Sequence, residues 1–272
     1  MTIKTNTELK SEEFTPDVET STLVSIGNIA LSDWQTNHLT KKSPEENEEI
    51  PNIQEIFNRN RLLARAMDGP GIAREDGGFR LDFRTWDEEV DFMEGDGLNF
   101  ASCTLLVPEK AVPTYKHMGF LMDGDDSKII HVAKTDSRSS GGDISSKDGL
   151  GDFWAGASDF DNLDQLASAI RSTENQSSIE INEVNAHFEI SSLKGLFTLY
   201  AKSINNLLEL LAVHRHLVER GVILPMYVYK IETGEMTEWK PTQEEVREIL
   251  RTCTKSKLVK VLFAKYLDID LE

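Results

Sequence analysis

Apolar residues recur early in this chain at a spacing of three and four. From Ile53 the run IQEIFNRNRLLARAM sets Ile53, Ile56, Phe57, Leu62 and Leu63 where one helix face gathers them, and the breaker DGPGIAREDGG follows. The pattern then shortens. LNFASCTLLVPEKAVP predicts a strand bounded by prolines, and YKHMGFLMDGDDSKIIHVAKTD leads into a second at residues 128–133. There His131 stands among apolar neighbours, as in a strand covered on both faces. GDFWAGASD predicts a short strand, LDQLASAIRS a helix and SSIEINEVNAHFE a strand. Leu207, Leu208, Leu210, Leu211 and Leu217 recur at helical spacing, which makes SLKGLFTLYAKSINNLLELLAVHRHLVERG helical. VILPMYVYKIETGEMTEW reads as strand, Thr-Gly turn and strand. The tail from TQEEVREIL onward is helical, with Thr242 as its N-cap.

Strands alternating with helices predict an α/β fold with a mostly parallel central sheet flanked by helices. Three regions are expected: an acidic, flexible arm over residues 1–50, an α/β domain over 51–240, and a C-terminal helical extension over 241–272. The arm ends in KKSPEENEEIP and is interrupted by one apolar piece, STLVSIGNIALSDW, suited to docking on a partner. No internal repeat is visible.

A chain of 272 residues, 39% of them hydrophobic, has enough apolar surface for one sizeable core. Its formal charge of −18 argues against a nucleic-acid partner, because phosphate binding needs a concentrated basic face. No run reaches the length of a membrane span and the N-terminus lacks the apolar core of a secretory signal, so a cytoplasmic protein with no membrane partner is expected. Cys103 and Cys253 make neither a disulfide framework nor a cysteine-rich zinc site.

Four segments, taken in order, carry a resemblance. AKTDSR ends an apolar strand, GLGDFWAGASDF follows, NAHFEISSLKGLF comes later, and PMYVYKIETGEMTEW closes the series. Their sequence is similar to that of the β-class carbonic anhydrases, over roughly Tyr115 to Trp239. That resemblance implies a dimer or higher homo-oligomer and a zinc ion held by a cysteine in the first turn and by the histidine and cysteine of H-x-x-C. Here Lys134 and Ile190 stand where the two cysteines would be, leaving His187 and Asp136, and Gly156 stands where the family has an arginine. Catalytic zinc normally needs three protein ligands, so no cofactor is expected and the chain is not expected to hydrate carbon dioxide. A rebuilt zinc site would draw on His187, Cys103, His131 and Asp136, with His117 as a further donor.

The resemblance pairs Asp136 with Arg138 as a structural clamp on the turn. Alternatively Lys134, Arg138 and His187 form a small anion-binding pocket. The resulting expectation is a catalytically degenerate protein acting as an interaction or regulatory module with a protein partner or a second copy. A second reading is a cysteine-dependent hydrolase or transferase, in which Cys103 is the nucleophile and His117 or His131 its base. Against it, Cys103 lies in an apolar strand, where a cysteine is ordinarily a small buried hydrophobe. The catalytic candidates are therefore Asp136, Arg138, Cys103, His117 and His131. His214 and His216, two apart on a helix, do not share a face and read as surface or core fillers.

Overall fold

The computed structural model describes residues 52–75, 77–94, 100–135, 159–199 and 204–270. Ten strands and six α-helices lie among them. Helix α1 (Ile53–Asn58) is capped by the Asn52 side chain, which accepts from the Gln54 N–H, and it buries Ile53, Ile56 and Phe57. The helical spacing that seemed to run on to Leu63 stops there. Asn60 takes a left-handed conformation at φ 57°, one that asparagine tolerates, and the chain re-enters as strand β1 (Leu62–Met67). Leu62, Leu63 and Ala64 are completely buried, so consecutive residues on both faces are covered and a period-two pattern never develops.

The expected breaker is itself a hairpin of β2 (Gly71–Glu75) and β3 (Gly78–Asp82), and it leads into α2 (Arg84–Glu94). After β4 (Phe100–Leu105), β5 (Met118–Asp123) and β6 (Ile129–Ala133) come α3 (Leu163–Arg171) and β7 (Glu183–His187). Next is β8 (Leu193–Leu199), a strand within the stretch expected to be helical. Its seven residues are too few for the helical period to declare itself. Helix α4 (Ile204–Glu219) carries the leucine pattern. Strands β9 (Met226–Lys230) and β10 (Glu235–Glu238) form the Thr-Gly hairpin. The tail is two helices, α5 (Gln243–Thr252) and α6 (Lys257–Leu267).

Eight strands form one sheet in the order β10-β9-β8-β5-β1-β4-β7-β6. The expectation of an α/β fold with flanking helices holds, but the sheet is mostly antiparallel, and β8–β9 is the one parallel pair among the described strands. Only between β8 and β9 does a long helix, α4, make the crossover that parallel neighbours require. At Gly119 the β1 and β5 backbones come so close that a Cβ would fall on the Arg65 carbonyl oxygen.

Helices α2, α4, α5 and α6 gather on one another. Arg220, just beyond α4, pairs with Asp87 and Asp91 of α2 at 2.7 and 2.6 Å, and His216 of α4 reaches the same Asp87 at 2.7 Å while stacking on Phe83, ring centroids 4.3 Å apart. Among the described residues no helix is long and apolar enough to cross a membrane.

Candidate functional site

A cleft among the described residues lies between α4, the start of β9, the start of α5 and the end of α6. It holds about 170 Å³ and is lined chiefly by Leu211, Met226, Val246, Leu267 and Ile269, with His214, Arg215, Gln243 and Asp268 as its polar groups. Each is placed by local structure. Leu211, His214 and Arg215 come from consecutive turns of α4. Gln243 is held by the box that starts α5, where the Thr242 hydroxyl accepts from the Glu245 N–H at 3.2 Å and the Glu245 carboxylate accepts from the Thr242 N–H at 2.6 Å. Asp268 ends α6 in a left-handed cap, φ 58°, which turns Ile269 back toward the cleft.

The polar groups differ in kind. Burial pushes the His214 imidazole down to about 4 from its ordinary 6.5, against a hydrogen bond to the Leu224 backbone that favours the proton. At neutral pH the ring is therefore uncharged. Arg215 is held in place: Nε donates to Glu219 at 3.1 Å and the guanidinium lies 5.5 Å above the Tyr266 ring centroid. Such a clamp fixes the planar group at the edge of an apolar space.

The residues singled out from sequence do not assemble here. Asp136, Arg138 and Gly156 lie outside the described residues. Lys134 is exposed just beyond β6, and its N–H donates to Asp159 at 3.0 Å. His187 ends β7, and β6 and β7 are antiparallel with Ala133 opposite Glu183 and Ile129 opposite Ala186. Lys134 and His187 therefore sit at opposite ends of the pair, roughly 15 Å apart at strand rise, and do not share a pocket. Ile190 opens a short 3-10 turn beyond His187.

Cys103 and His131 are also separated, by alternation across the sheet. Cys103 is level with Val184 and Val132, whereas His131 stands opposite Asn185, which stands opposite Ser102. Adjacent rows point to opposite faces, so the thiol and the imidazole are divided by the sheet. Cys103 is 4% exposed, rests against the Met122 sulfur, and is pushed up to about 12 by burial despite the nearby Arg65 guanidinium. His117 is engaged elsewhere, at 2.7 Å from Glu209, whose other oxygen takes Lys255. Cys253 is buried, with its sulfur on the Leu250 carbonyl. A zinc site using Cys103 together with His131 does not fit this arrangement. Among the described residues no group of three or more His, Cys, Asp and Glu side chains is arranged for a metal.

Sequence reasoning reads His214 only as a surface or core filler, although it is a polar interruption of an apolar stripe. His214 follows Leu210 and precedes Leu217 on one face of α4, a histidine inside an apolar stripe. A second polar island, Ser102, Glu183, Asn185 and His131, shares one face of β4, β7 and β6, with the Ser102 hydroxyl donating to Glu183 at 3.0 Å. No family model matches the chain and no curated protein matches it, so the cleft is read from its own chemistry.

Proposed function

We propose that this protein is a binding module whose cleft takes a small, mostly apolar molecule bearing one carboxylate. The observation that carries this reading is the pairing of an apolar lining with a fixed Arg215 guanidinium and a neutral His214 in about 170 Å³. A space of that size suits a single aromatic ring, since a cavity of about 150 Å³ accepts benzene. An anionic end gains a charge-assisted hydrogen bond at Arg215, and the apolar remainder gains from leaving water. The degenerate carbonic anhydrase-like reading leads to the same class of function, because it too leaves a module without its catalytic zinc.

The test uses benzoate and, as its uncharged counterpart, benzyl alcohol. Nuclear magnetic resonance titration of the full chain should shift amides of Leu211, His214, Gln243 and Ile269, with benzoate the tighter of the two. Gln243→Trp, at an exposed position on the rim, should close the mouth and abolish the shifts. Shifts elsewhere only, or equal binding by the Trp variant, would count against the proposal. The thiol-hydrolase alternative draws no support from a buried Cys103 held far from a thiolate.

A further inference from the structure

The outward face of α6 differs in character from the other described helices. Among the described helices it alone carries no acidic residue, in a chain with a formal charge of −18. Lys257, Leu258, Val261 and Lys265 form its exposed stripe, with Leu258 47% and Val261 44% exposed. Beside it lies the β2–β3 hairpin, whose strand β3 packs on α6 and whose Ile72 and Phe79 are also exposed. An exposed apolar pair interleaved with lysines on one helix face marks an interaction site for something apolar and acidic.

We propose that the occupant is the chain's own N-terminal arm, with STLVSIGNIALSDW on the apolar residues and the following acidic run on the lysines. Residues 1–51 precede α1: at about 3.5 Å per residue the acidic run at 45–49 reaches about 10–25 Å from Asn52, and the apolar piece at 21–34 reaches far beyond that. The arm has the complementary composition: Leu23, Val24, Ile26, Ile29, Leu31 and Trp34 supply apolar contacts, and Glu45, Glu46, Glu48 and Glu49 supply the opposite charge. A tethered segment also binds at a high effective concentration, so modest contacts suffice. A free acidic peptide or a second copy lacks that advantage.

The experiment places a nitroxide at Ser43→Cys in the full chain. Both native cysteines are buried, so the label is selective. Amides of Leu258, Val261 and Phe79 should broaden, and the broadening should persist on dilution. It should fall at least several-fold in Lys257→Glu/Lys265→Glu and in Leu258→Ser/Val261→Ser, all exposed positions whose folding is checked by circular dichroism. Absence of broadening at α6 overturns the proposal. So does broadening that appears between labelled and unlabelled chains in a mixed sample, because the occupant is then a second copy.

Discussion

Acid should loosen this protein through His214. In the folded chain the imidazole gains its proton only at about 4, whereas in the unfolded chain it does so near 6.5, so the unfolded state binds more protons between those values. The associated stability is complete above pH 6.5 and is lost as the pH falls toward 4. At about 1.4 kcal/mol per pH unit the whole window amounts to about 3 kcal/mol, and about 2 kcal/mol of it is gone by pH 5. That is a large share of the 5–15 kcal/mol typical of a domain. The measurement is urea unfolding from pH 8 to 4.5 on the wild type and on His214→Phe, which removes the titration. Carboxylates titrate in both proteins, so the difference between the two curves isolates the histidine. Wild-type stability should fall relative to the variant by about 2 kcal/mol between pH 8 and pH 5. Parallel curves would refute the assignment of a buried, neutral His214.

Three further outcomes follow from other parts of the fold. Iodoacetamide at pH 7.4 should leave Cys103 unmodified for hours in the native protein and label it promptly in urea; rapid native labelling would restore the thiol-enzyme reading. Gly119→Ala drives a methyl onto the Arg65 carbonyl between two central strands, and should cost more than about 3 kcal/mol or prevent soluble expression; a variant melting within a few degrees of wild type would show that the strands part easily. Thr242→Ala removes the hydroxyl half of the α5 capping box, leaving the Glu245 carboxylate on the backbone N–H of residue 242, and should cost about 1 kcal/mol in urea unfolding, with Thr242→Ser nearly neutral; an equal loss in both would point to packing of the methyl instead.

The parts of the fold legible in sequence were those with strong local chemistry. Thr242, the Thr-Gly turn before β10 and the leucines of α4 announced their elements directly. Strand direction was not legible, because it depends on which strands meet. Sequence alternation suggested crossovers at every step, whereas β5 pairs with β8 and β4 with β7 across long intervals of chain. Leu62 to Ala64 misled for a related reason: a central strand buried on both faces and a buried helix both present an unbroken apolar run. The site was hidden more completely. His214 and Arg215 become neighbours of Gln243 and Asp268 only after α5 and α6 fold back on α4. Cys103 and His131 drew attention by residue type, and the sheet then set them on opposite faces.

The strand order also bears on how the chain emerges during synthesis. Strands β4, β1 and β5 can pair once residue 123 is available, but β7 and β8, which cover their two outer edges, arrive only with residues 183–199. A nascent chain paused between these points presents two open hydrogen-bonding edges on an apolar three-stranded sheet, the form of intermediate that pairs with strangers. Folding quality in the cell should therefore depend on how fast translation passes through residues 124–199 and on chaperone cover over that interval.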